Sequence, residues 1–179
     1  AYVGPSGRLL NRLLEYWTSL RRPGVYVTNV VKHMPPGARS PKAPEIKKYL
    51  TSFYEELIEI NPKVVVTLGA PAAKVFDKTI KLTNDHGIAR AACIEGVWSG
   101  VLVPWFQPAY ALTSPAIFEV VGRDAARLED EVARMGLPST PAIYVLDEDA
   151  AIERELLATW GTFGFDTETT SPTRGKSFA

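Results

Sequence analysis

Cysteine is almost missing from this chain: Cys93 is the only one among 179 residues. A single thiol excludes an internal disulfide and any metal cluster held by several cysteines. It also fits a reducing compartment, so a cytoplasmic location is expected. Long apolar runs are missing too. Each is broken by Pro, Gly or a charge short of the roughly 18 residues that a membrane helix requires, so no membrane partner is expected. The start, Ala1-Tyr2-Val3-Gly4-Pro5, has neither the basic residues nor the apolar core of a signal peptide. It does not begin with Met, and the chain reads as a fragment or a processed product. Repeats and low-complexity tracts are absent. With 46% apolar and 22% charged residues, the composition excludes wholesale disorder, collagen and fibrous coiled coil. What remains is a globular chain long enough to bury a core, of about one domain with a further piece attached.

The net charge is zero, from 20 basic and 20 acidic residues, but the charges are not evenly spread. Residues 1–90 hold 14 Lys/Arg and 7 Asp/Glu, whereas residues 141–179 hold 3 and 7. A basic front part suits an anionic partner such as nucleic acid, or is simply a solvated surface. The run Met135-Gly136-Leu137-Pro138-Ser139-Thr140-Pro141 ends a helix and starts a linker. The expected organisation is a domain over residues 1–135, a linker over 136–141 and a second, incomplete unit over 142–179.

Apolar periodicity places the elements. Leu9, Leu10, Leu13, Leu14 and Trp17 recur at helical spacing and predict a helix over about residues 8–20. Val25-Tyr26-Val27-Thr28-Asn29-Val30-Val31 is β-branched and nearly all apolar, as in a strand buried on both faces. Four prolines make residues 32–44 a loop. Ile46, Leu50, Phe53, Leu57 and Ile60 predict a helix over about 44–60, ended by Pro62. Residues 64–68 read as a second buried strand, followed by a helix to about Phe76. Residues 77–100 carry no clear period. A strand is expected near 101–103, a long helix over about 115–135, and a strand over 142–146 opening the second unit. This alternation predicts an α/β fold of three α/β/α layers around a mostly parallel sheet. Ligands of such sheets sit at the carboxyl ends of the strands.

Three segments carry chemistry together: Tyr2-Val3-Gly4-Pro5-Ser6-Gly7-Arg8-Leu9-Leu10, then Val25 to Lys32 with Pro35-Pro36-Gly37 and Arg39, then Gln107-Pro108-Ala109-Tyr110. Their order and spacing over about residues 1–135 resemble the uracil-DNA glycosylase superfamily, most of all its family-four enzymes and the glycosylase-like domains fused to some phage-type DNA polymerases. The resemblance implies DNA as partner and a base flipped into a pocket. It implies that Tyr2 stacks on that base, that Gly4 and Pro108 contact it, and that the Asn29 amide reads its edge with one donor and one acceptor. It places Gln107 where the family has a catalytic histidine. Glutamine donates a hydrogen bond but forms no cation near neutral pH, so a uracil anion leaving group is less stabilised. The loop with the water-positioning carboxylate lies upstream of the aromatic in the family, outside this sequence. Lys32, Arg39, Lys42, Lys47 and Lys48 surround the Pro-rich loop; as a DNA face they would meet phosphates, and a solvated helix start accounts for some of them equally well.

The family-four resemblance also implies an iron–sulfur cluster on four cysteines. Here one cysteine position holds His33 and the next Tyr49, so no cluster is expected and the loop must be held by packing. His33 itself reads as an exposed loop residue and His86 as a turn residue.

A second motif, Phe163-Gly164-Phe165-Asp166-Thr167-Glu168-Thr169-Thr170, resembles the start of DEDD-type 3′–5′ exonucleases of family A DNA polymerases. The resemblance implies that Asp166 and Glu168 ligate divalent Mg or Mn ions, whose hard charge prefers carboxylate oxygens. The later acidic motifs are not in this sequence, so the metal site is expected only in a complete exonuclease domain. Together the motifs imply the front of a phage-type polymerase, with the rest of that chain as partner. Three roles stay open for the front domain: uracil excision, DNA gripping or uracil sensing without excision, and a scaffold that does not bind DNA.

Overall fold

The computed structural model describes residues 4–33, 36 and 41–137, and the backbone of strand 143–147. Helix α1 (Pro5–Trp17) comes first, and strand β1 (Val25–Asn29) follows after a single 3₁₀ turn at Arg22–Gly24. Next come α2 (Ala43–Ile60), β2 (Val64–Leu68), α3 (Ala70–Phe76), α4 (Leu82–Asp85), β3 (Arg90–Ile94) and β4 (Trp98–Trp105). The order ends with α5 (Pro108–Ala111), α6 (Pro115–Arg134) and β5 (Ile143–Asp147).

Sequence chemistry accounts for the element ends. Pro5 begins α1, where its missing N–H costs nothing. Thr18 ends that helix by donating both its N–H and its hydroxyl to the Leu14 carbonyl. Asn61 closes α2 in the left-handed conformation, φ 44°, and Pro62 prevents continuation.

The strands form one sheet in the order β1-β5-β2-β4-β3. All neighbours are parallel except β3, which pairs antiparallel with β4 at one edge. The pleat sends alternate residues to opposite faces. On one face Val64, Val66 and Leu68 lie beside Val101, Val103 and Trp105, and α1 and α6 cover them through Leu10, Leu14, Val121 and Leu128. On the other, Val65 lies beside Leu102 under Phe53, Leu57, Ala73 and Phe76 of α2 and α3. This is the expected three-layer α/β/α arrangement. Each fully buried Leu or Phe here contributes about 1.5–3 kcal/mol by leaving water.

Two local expectations change. β1 is an edge strand rather than one buried on both faces: among the described residues it pairs only with β5, and Tyr26 is 40% exposed. The strand expected to open a second unit instead lies in the middle of the first sheet. β1 and β2 do not pair with each other. Both bond to β5, which places Val145 opposite Val27 on one side and Val66 on the other. A parallel sheet leaves no backbone row open at its centre, and the Ile-Tyr-Val-Leu segment suits a strand covered on both faces.

Candidate functional site

The sheet register assembles the site. Asn29 lies opposite Asp147, Asp147 opposite Leu68, and Leu68 opposite Trp105. Four strand ends therefore lie in one row at the carboxyl edge, where α/β sheets hold ligands. At a strand spacing of about 4.8 Å, Asn29 is about 10 Å from Leu68 and about 14 Å from Trp105. Among the described residues the chain leaves this row at Val30 after β1, at Gly69 after β2 and at Phe106-Gln107 after β4.

Asn29 is half-buried, and its side-chain carbonyl oxygen is shielded from water without a hydrogen-bond partner among the described residues. Such an oxygen costs about 1–3 kcal/mol of desolvation until a donor reaches it. A donor N–H brought to the strand end would satisfy it.

Gln107 is 8% exposed and leads directly into α5. Gly69 lies beside it. The Gly69 N–H donates to the Trp105 carbonyl at 2.9 Å, joining the ends of β2 and β4. Its φ of 97° is one that side chains rarely adopt, and a Cβ there would approach the Gln107 Cβ to 3.9 Å. Pro108 is buried as the first residue of α5, and Tyr110, two residues on, is 54% exposed. Gly4 precedes α1 and accepts the Arg8 N–H at 3.0 Å. The helix it caps packs against α5 and α6.

The lysines divide. The Lys32 ammonium donates to Thr28 Oγ1 at 2.8 Å and is paired with the Glu56 carboxylate. The Tyr26 hydroxyl donates to the same carboxylate at 3.0 Å, and burial together with Glu56 raises the Tyr26 pKa. Much of the Lys32 charge is thus already answered inside the protein. Lys42, which precedes α2, and Lys47 and Lys48 in its first half are exposed. Tyr2, Arg39, Asp166 and Glu168 lie outside the described residues, as does the whole exonuclease-like motif.

Two interactions around the site were not legible in the sequence. His86 does occupy a turn, but its Nδ1 also bonds to both Asp124 oxygens, at 2.8 and 3.0 Å, and its ring packs on Phe106 with centroids 4.9 Å apart. Asp124 is 3% exposed. Burial raises its pKa, opposed by His86, Arg123 and Arg127. A buried carboxylate and a ring thus brace the residue before Gln107. His33 bonds to Tyr49 through Nδ1 at 2.7 Å, with the two rings stacked. Partners 38 and 16 positions apart leave no periodic signal.

The donor set does not fit an iron–sulfur cluster. The chain has one cysteine, Cys93, and it is exposed on β3 at the far edge of the sheet. Among the described residues no group of three His, Cys, Asp or Glu could hold a metal, and no described helix is long and apolar enough to cross a membrane.

Residues 1–136 match the family model of the uracil DNA glycosylase superfamily. The chain is 30% identical over 152 residues to a type-4 uracil-DNA glycosylase of Sulfurisphaera tokodaii, covering 82% of this chain and 66% of that protein. It is 38% identical over 114 residues to one of Thermotoga maritima, covering 62% and 56%. The chain thus spans 66% and 56% of the lengths of these two curated relatives, less than two thirds of either.

Proposed function

Because the chain belongs to the uracil-DNA glycosylase superfamily, we propose that its sheet edge receives a uracil flipped out of DNA, with Asn29 reading the base. The observation that carries this reading is the shielded Asn29 oxygen at the end of β1, without a hydrogen-bond partner among the described residues and in one row with the strand end that leads to Gln107. Uracil presents an N–H beside a carbonyl, and one side-chain amide matches both. In this reading Tyr2 stacks on the base, and Gly4 and Pro108 close the pocket from the α1 and α5 sides. Lys42 and Arg39 contact phosphates, and Lys32 contributes less because Glu56 holds it.

Excision requires the base to leave with the bond's electron pair, as an anion. Gln107 can donate a hydrogen bond to that anion but cannot add a positive charge. This observation favours a second reading, in which the domain grips DNA or senses uracil with little or no excision. One experiment separates the two. The protein is incubated with single-stranded and duplex oligonucleotides carrying one uracil, and alkali-labile abasic sites are counted. Excision lost by about 100-fold or more in Asn29→Ala supports a working glycosylase. Salt-sensitive binding without abasic sites supports the gripping module. Neither signal sinks both readings.

We further propose that the chain belongs to a cytoplasmic, phage-type family A DNA polymerase, the rest of which is its partner. Its support is the Asp166-Thr167-Glu168 motif, whose carboxylates suit Mg or Mn in a completed exonuclease domain.

A further inference from the structure

The family resemblance implies a cluster that ties the chain after β1 to the following helix, and the residues at two of its ligand positions are His33 and Tyr49. They cannot hold iron and sulfide in the cysteine manner, yet they are not idle. The Tyr49 hydroxyl and His33 Nδ1 are 2.7 Å apart, and the rings stack with centroids 5.5 Å apart and planes at 29°. The Lys48 ammonium lies 5.6 Å from the Tyr49 ring centre, which adds a cation–π contact.

This pair ends a seam. Val30 is fully buried in the cluster that contains Phe53 and Leu57. Lys32 is paired with Glu56, and His33 with Tyr49. Positions 49, 53, 56 and 57 share one face of α2, so residues 30, 32 and 33 are fastened in turn to one helical stripe. Asn29 is the next residue back. Its side chain has no described hydrogen bond through its oxygen, so its aim depends on how the backbone after it is held.

We propose that His33 and Tyr49 form a metal-free clasp that locks the chain leaving β1 onto α2 and thereby positions Asn29. Both are positioning residues. The role of Asn29 toward uracil rests on the reading above; the clasp and its hold on Asn29 do not.

The test uses the full chain and nuclear magnetic resonance. Only two histidines must be assigned, and the Asn29 side-chain amide reports position. In the Nε2–H tautomer the Tyr49 hydroxyl donates to Nδ1, and in the Nδ1–H tautomer the ring donates to the Tyr49 oxygen; the ring nitrogen signals distinguish the two. Tyr49→Phe, which keeps the ring and the stack, and His33→Ala are both expected to shift the Asn29 amide signals and leave those of His86 in place. The double variant is expected to move them no further than the larger single one. Binding of a uracil oligonucleotide should weaken by up to about tenfold in each. Asn29 signals unmoved in Tyr49→Phe and His33→Ala overturn the clasp. So does anaerobic treatment with ferrous iron and sulfide if the protein takes up iron that His33→Ala prevents. Shifted amide signals with unchanged oligonucleotide binding support the clasp and count against the uracil-reading role of Asn29.

Discussion

Gln107 sits, nearly buried, where the family resemblance calls for a histidine. The change exchanges a group that can carry a proton for one that cannot, while keeping a donor of similar reach. Gln107→His is therefore expected to raise uracil excision, on the order of 100-fold if an anionic leaving group limits the rate, as counted by abasic sites per unit time. An unchanged rate would mean that another group limits the chemistry. A second residue-scale prediction concerns Arg90, which donates to Asp85 at 2.7 Å and lies 3.9 Å from Asp77. The Arg90 bond is the main reason the Asp85 carboxyl titrates below its ordinary range, and Thr79 does the same for Asp77 with Arg90 assisting. Folded-state pKa values below the unfolded ones give stability that is complete above about pH 4 and lost as pH falls through the folded values. Urea unfolding between about pH 5 and about pH 2 should have a shallower acid limb in Arg90→Gln than in the parent. An identical acid limb would show that Arg90 is not coupled to these carboxylates.

At the scale of elements, the turn between α4 and β3 holds α6 against the end of β4. Gly87 has φ 71°, and its N–H donates to the Pro104 carbonyl at 2.8 Å. A Cβ there would lie 2.8 Å from Asp124 Cγ, inside the His86–Asp124 pair. Gly87→Ala is expected to lower stability by about 1–3 kcal/mol, read by urea denaturation, and to break the brace behind Phe106. Ordinary stability would mean that α6 can move away at little cost. This region was the least legible from sequence, and the reason is physical. α4 has four residues, and β3 is an edge strand whose alternate positions are only half-buried. Neither imposes the apolar period that long elements need. The helices α1, α2 and α6 and the strand β2 bury continuous stripes, so their residues announced them to within about three positions.

On the scale of the whole molecule, β5 decides whether there is one sheet. Without it, among the described strands β1 would lose its only partner and β2 one of two. Val145→Pro removes a ladder N–H in mid-sheet and is expected to leave the chain largely unfolded, as seen by circular dichroism. A normally folded variant would mean that 143–147 does not hold the central place in solution. From the sequence, residues 142–146 read as a strand but as the start of another unit, because a strand pattern states that a segment needs partners and not which ones.

The sequence by itself determined the α/β class, the strands and helices with strong apolar periods, and the family likeness carried by Asn29, Gln107 and their neighbours. These are properties of local pattern, where each residue's polarity and spacing act within one element. Only the tertiary structure decided that β1 is an edge strand, that β5 fills the centre, that Glu56 holds Lys32, and that His33 and His86 have partners at Tyr49 and Asp124. Those outcomes depend on which backbone row and which side chain meet across the fold. Nothing in the spacing of a single segment records such a meeting.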